Sequence, residues 1–308
     1  MGNNRIVQEI NALNQRGGRM LSIVDLILAR TVDVQLAAYL MGAIRQGASV
    51  LCCAGPGGTG KTTLMGALLS FIPPSGEIKV VDSARSESWY DEVWNPETPT
   101  WFICHELGPG SWYSYLWGEA AKVFLSMPKA GRFAATTVHA DELGELRRLV
   151  TGQEIGLSTE DFSKLDLVLF IRALRVPGSK RFQRRVTQVH VGTGDPKATH
   201  RLVCRWDAHT DSFVWPQGDE LGRMAEVEAA AGKSDADVED AALAQSDGSR
   251  RWLPNLNILS SLGRRKTEAE PRASKEVPET CESFLQGLVD ERLLDLESVR
   301  KAILNFYS

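Results

Sequence analysis

Eight consecutive residues constrain this chain more than any others: Gly55-Pro56-Gly57-Gly58-Thr59-Gly60-Lys61-Thr62 matches G-x-x-x-x-G-K-[ST] in full. Such a run is a phosphate-binding loop when a buried strand leads into it and a helix leaves it. Both flanks fit. Ser49-Val50-Leu51-Cys52-Cys53-Ala54 is a short apolar run that reads as a buried strand, and Thr63-Leu64-Met65-Gly66-Ala67-Leu68-Leu69 reads as a helix. Gly55, Gly57, Gly58 and Gly60 let backbone N–H groups, that of Thr59 among them, turn inward on the α- and β-phosphates. The helix N-terminus, with Thr63 in its first turn, favours the anion. Lys61 reaches the β- and γ-phosphates and the Thr62 hydroxyl is a ligand for Mg²⁺.

The rest of the chain is consistent with a globular nucleotide-binding protein. Apolar content of 43% and charged content of 24% are ordinary. A net charge of −4 gives no support for binding nucleic acid through bulk positive charge, so no nucleic-acid partner is expected. The five cysteines show no C-x-x-C spacing and read as reduced core thiols. No signal peptide is recognisable after Met1, and no apolar run is long enough to span a bilayer, which predicts a cytoplasmic location.

Three strand ends carry the remaining candidate chemistry. Ile78-Lys79-Val80-Val81 delivers Asp82, Trp101-Phe102-Ile103-Cys104 delivers His105 and Glu106, and Phe133-Ala134-Ala135-Thr136-Thr137-Val138 delivers His139. Open α/β sheets place their ligand-facing residues at such carboxyl ends. A carboxylate like Glu106 beside a phosphate loop suits support of Mg²⁺ or orientation of the attacking water. For a lone histidine the commoner role is structural, and only its strand-end location singles out His139.

The ordered set resembles the type II/IV secretion ATPases, the RecA-like motors of pilus, archaellum and secretion assembly. The resemblance runs from about Ile23 to Phe213. It rests on the loop and its trailing Ala67-Leu68-Leu69-Ser70-Phe71-Ile72-Pro73. It rests also on Thr136-Thr137-Val138-His139-Ala140-Asp141-Glu142-Leu143 with Arg147-Arg148-Leu149, which is similar to the family's histidine box. Leu165 to Arg172 and Arg184 to Val189 are similar to its closing strands.

The resemblance implies an α/β fold: a RecA-like P-loop core with a mostly parallel central sheet, a β-hairpin extension and a C-terminal helical tail. It implies ATP and Mg²⁺ as ligands, with Lys61 and Thr62 holding phosphate and metal. Glu106 stands where the family polarises water beside the metal, His139 where it senses the γ-phosphate, and Asp82 at the second acid of its Glu-Asp box. It also implies a hexameric ring working with a polytopic membrane platform protein, peripheral at the inner face of the membrane.

The departures predict slow or partner-dependent hydrolysis. Val81 takes the place of the first acid of the Glu-Asp box and His105 that of the glycine before the glutamate. Only 23 residues lie between Asp82 and Glu106, too few for the family's arginine-bearing helix. Of the N-terminal domain that caps the nucleotide in most members, only the leading helices are expected here. An arginine finger is worth about 10³–10⁵ in rate where one is used.

The expected organisation is N-terminal helices over 1–47, the ATPase core over 48–216, an acidic helical stretch and flexible linker over 217–280, and C-terminal helices over 281–308. Trp112, Tyr113, Tyr115 and Trp117 read as core packing. The basic runs Ser179 to Arg185 and Gly263 to Lys266 read as a solvated hairpin face and linker.

Two other readings stay open. One is an ATP-binding regulatory paralogue that hydrolyses weakly or not at all. The other is a GTPase, since Asp141-Glu142-Leu143-Gly144 fits D-x-x-G and Ser163-Lys164-Leu165-Asp166 is near N-K-x-D. The latter box begins with the wrong residue and precedes a strand where it should follow one.

Overall fold

Strand β1 (Val50–Cys53) shows how the sequence divides the molecule into layers. Its side chains alternate in direction, so Val50 and Cys52 join one buried apolar cluster while Leu51 and Cys53 join another. A strand apolar on both faces must be covered on both. The computed structural model describes residues 2–14, 17–81, 98–110, 114–128, 131–176, 178–216 and 277–308.

Three helices precede β1: α1 (Gly2–Ala12), α2 (Ile23–Leu28) and α3 (Val34–Arg45). After it come α4 (Lys61–Leu69), β2 (Glu77–Val80), β3 (Thr100–Leu107), β4 (Tyr115–Leu116), α5 (Gly118–Ser126), β5 (Arg132–Val138), α6 (Leu143–Thr151) and α7 (Thr159–Phe162). Then follow β6 (Leu167–Arg175), β7 (Phe182–Gly192), β8 (His200–Asp207), β9 (Ser212–Val214), α8 (Val277–Asp290) and α9 (Leu296–Tyr307).

The strands form one nine-stranded sheet in the order β2-β3-β5-β1-β6-β7-β8-β9, with β4 beside the far end of β3. Every pair from β2 to β6 is parallel, and β6 to β9 is an antiparallel meander. The result is a mixed α/β fold with a mostly parallel central sheet, a hairpin extension and C-terminal helices, the class the sequence predicts. Helices α1 to α4, α8 and α9 cover the Val50 face, and α5 to α7 the Leu51 face.

Local chemistry fixes where these elements start and stop. Ser22 and Asp25 form a capping box at α2, and the Asp33 carboxylate accepts from the Leu36 N–H at 2.7 Å to start α3. Gly47 ends the approach to β1 at φ +89°, where a Cβ would stand 2.4 Å from the Phe133 ring. Trp101 is buried against Phe133, with ring centroids 4.4 Å apart, and its Nε1 donates to the Ala48 carbonyl at 3.0 Å.

Two boundaries differ from the sequence reading. Strand β3 continues past Cys104 to Leu107 because β4 pairs Glu106 with Tyr115 and Leu107 with Leu116. Helix α8 begins at Val277, four residues earlier than read, before the apolar stripe that marks it in the sequence. Asp82, Trp112, Tyr113, the acidic stretch and the basic run Gly263 to Lys266 lie outside the described residues.

Candidate phosphate-loop site

The parallel strands β3, β5 and β1 end on one edge of the sheet, and the glycine loop leaves β1 there. Gly58 and Gly60 lie at φ +80° and +106°, conformations that need glycine. The loop passes straight into α4, whose first residue is Lys61. A cavity of about 700 Å³ opens over it, lined by the loop, His105, Glu106, Tyr115, His139, the segment around Leu13 to Thr31 and Phe182 to Arg184 of β7.

Lys61, His139 and Glu106 form one contact chain. Lys61 is 6% exposed; Nζ donates to the Ala54 carbonyl at 3.2 Å and lies 3.3 Å from both ring nitrogens of His139. His139 Nε2 lies 3.3 Å from Oε1 of Glu106. Its Nδ1 faces the Gly55 carbonyl, an acceptor only, so Nδ1 carries the proton in that contact. Nε2 thus lies 3.3 Å from both the Lys61 ammonium and the Glu106 carboxylate.

The sequence candidates Lys61, Glu106 and His139 are brought together with the loop glycines, Thr59, Thr62 and Thr63, while Asp82 lies outside the described residues. Sequence reading missed three neighbours. Asp141 accepts from the Gly55 N–H at 2.8 Å, and its carboxylate fills the space a Cβ on Gly55 would need. Tyr115, read as core, lines the cavity, and burial together with the Glu106 carboxylate pushes its phenol up. Arg184, read as part of a solvated basic run, donates from Nε to the Thr59 carbonyl at 3.0 Å and from Nη2 to the Gly58 carbonyl at 3.3 Å. Asp141 was visible inside the histidine box; for Arg184 no local signal existed.

These residues fit a nucleoside triphosphate with Mg²⁺. The cavity lies within the usual range for small-molecule sites. Among the described residues, the Gly60 N–H donates to no carbonyl, which suits a cradle for oxyanions. Thr62 and Glu106 offer a hydroxyl and a carboxylate, both hard oxygen ligands suited to Mg²⁺.

The GTPase alternative needs Asp166 at the base end of the cleft. Instead its carboxylate accepts from the Ser49 N–H at 2.9 Å, at the amino ends of β1 and β6, where it is 5% exposed. Lys164 pairs with Glu160 at 2.6 Å on the adjoining turn.

Fold and loop together make an α/β protein with a candidate phosphate-loop site at the carboxyl edge of its sheet. No family model matches the chain. It is 26% identical to the uncharacterized protein MJ0900 of Methanocaldococcus jannaschii over 222 residues, 63% of this chain and 38% of that protein. To MJ1287 of the same organism it is 25% identical over 218 residues, 61% of this chain and 76% of that protein. The chain therefore spans well under half of the first relative. Among solved structures it is similar to the VirB11 ATPase from the Brucella suis type IV secretion system in complex with sulphate. That similarity has a TM-score of 0.39 and 18% identity, covering 63% of this chain and 59% of that one. Among the described residues no helix is long and apolar enough to cross a membrane.

Proposed function

We propose that this chain binds ATP with Mg²⁺ and hydrolyses it, as a motor subunit of a secretion or type IV pilus-like assembly. The observation that carries the reading is the contact chain from Lys61 through His139 to Glu106 at the mouth of the glycine cradle. It sets a phosphate-holding cation, a candidate γ-phosphate sensor and a candidate water-orienting carboxylate side by side.

In this reading the loop amides and Lys61 hold the phosphates. Thr62 and Glu106, which line the same cavity, would hold Mg²⁺, and the ion would supply charge neutralisation at the phosphate oxygens. Glu106 orients the water and takes its proton, and His139 reports through its two partners whether Lys61 is engaged. Assembly as a hexameric ring on a polytopic membrane platform, at the inner face of the membrane, belongs to the same proposal and rests on motif order alone. That order runs from the loop through Thr136 to Leu143 and on to β6 and β7.

Phosphate release from the purified chain tests it. Magnesium-dependent release that Lys61→Ala abolishes supports the reading, and no binding of ATP to the parent chain sinks it. A second reading, an ATP-holding regulatory subunit without turnover, is favoured by His105 standing where the family has glycine. In that case Glu106→Gln changes neither turnover nor nucleotide binding.

A further inference from the structure

Arg184 lies 125 residues from the carbonyl it holds on Thr59, and the topology of the sheet delivers it there. Strand β7 runs antiparallel to β6, so the first residues of β7 sit beside the carboxyl half of β6, at the edge that carries the phosphate loop. Arg184 is opposite Ala173. The pairing shifts between Phe170 and Ile171, leaving Thr187 as an extra residue between Val186 and Gln188, with its hydroxyl on the Phe170 carbonyl at 3.3 Å. One extra residue inverts the facing of everything beyond it in a strand. This bulge therefore decides that Arg184 addresses the loop.

The next residue anchors the position. Arg185 is 4% exposed, and its Nε and Nη2 hold Asp211 at 2.7 and 3.0 Å. Its Nη1 donates to the carbonyls of Ala29 at 3.1 Å and of Arg184 itself at 2.8 Å. The backbone under Arg184 is thereby tied to the end of α2 and to the turn before β9.

The two Arg184 bonds have a directional consequence. No described peptide is cis, and in a trans peptide the C=O and N–H point opposite ways. Holding the Gly58 and Thr59 carbonyls on the hairpin side turns the N–H groups of Thr59 and Gly60 the other way, into the loop. Among the described residues the Gly60 N–H meets no carbonyl. The Arg184 stem closes over Gly60, with Cδ 3.2 Å from where a Cβ would stand.

We propose that Arg184 is a positioning residue for phosphate binding: its forked guanidinium fixes the Thr59 and Gly60 amides toward the anion, making the β6–β7 hairpin the element that sets triphosphate affinity. The proposal rests on the nucleotide-binding reading of the loop. The fork is essential to it, because a lysine presents one point charge and cannot hold two carbonyls in a fixed plane.

Titration of the 308-residue chain with a fluorescent non-hydrolysable ATP analogue and Mg²⁺ tests this, alongside melting without nucleotide. Expected are saturable binding by the parent, loss in Lys61→Ala, and a Kd raised at least about tenfold in Arg184→Ala with little change in melting temperature. Arg184→Lys should recover less than half of the loss in binding free energy. Parental affinity in Arg184→Ala overturns the proposal, as does full recovery in Arg184→Lys, which would leave only a charge effect. If Arg184→Ala fails to fold, Arg184→Lys decides alone: weakened binding with an unchanged melt supports the fork and parental binding refutes it. Absence of binding by the parent, or parental binding by Lys61→Ala, defeats the nucleotide reading instead.

Discussion

His139 Nε2 and Glu106 Oε1 lie 3.3 Å apart across the ends of two adjacent parallel strands, and the Lys61 ammonium lies 3.3 Å from the same Nε2. A side chain just past the end of β5 therefore meets both the cation of the loop and the carboxylate of β3. Glu106→Gln keeps the shape and removes the base. Turnover should fall by about 10²–10⁴, the usual worth of a general base, while nucleotide still binds. Phosphate release and analogue titration on one preparation check both halves.

Asp141 braces the start of the loop through the Gly55 N–H. Asp141→Ala should weaken ATP binding by about fivefold, the worth of one hydrogen bond of about 1 kcal/mol. Asp141→Asn retains an acceptor oxygen and should bind nearly as the parent does. Equal loss in both variants would assign the effect to charge. Calorimetric titration separates the two.

Acid should destabilise the protein well above the range where carboxylates titrate. Burial holds His190 down to about 3 and His200 down to about 4. His190 also lies edge-on to Phe170 and feels the charge of His200, which packs against Phe162. Between those values and the ordinary histidine pKa of about 6.5 the unfolded chain binds protons that the folded one refuses. Stability is thus full above about pH 6.5 and falls as pH drops toward 4. Urea midpoints from pH 7.5 to 4.5 should decline, and the slope should flatten in a His190→Gln, His200→Gln variant.

The last helix closes the far end of the loop helix. Nη1 of Arg300 donates to the carbonyls of Ser70, at 2.7 Å, and Ile72, and the Tyr307 hydroxyl donates to the Phe71 carbonyl at 2.9 Å. Arg300 is 1% exposed, and burial lowers it to about 10. Its Nε and Nη2 have no hydrogen-bond partner among the described residues. Arg300→Ala leaves a cavity and two orphaned carbonyls and should cost about 3–5 kcal/mol. Arg300→Met, which fills the space and buries no cation, should cost clearly less. Urea unfolding at pH 7 ranks them.

What the sequence made legible was local. The loop, the strand before it and the helix after it are contiguous, and Glu106 and His139 follow apolar runs that read directly as strands. Arg184 was hidden because its place depends on the pairing of β7 with β6 and on a single bulge at Thr187, neither of which has a local signature. Tyr115 was hidden for a similar reason: it meets Glu106 only because β4 adds itself to the end of β3. The expectation that no arginine-bearing helix fits between Asp82 and Glu106 falls on a stretch that lies mostly outside the described residues.

Helix α4 has nine residues, a rod of about 14 Å, gripped at its amino end by the glycine loop and at its carboxyl end by Arg300 and Tyr307. Three consecutive carbonyls, of Ser70, Phe71 and Ile72, are thus held by α9, so the C-terminal helix is fastened to the same short rod whose other end begins with Lys61.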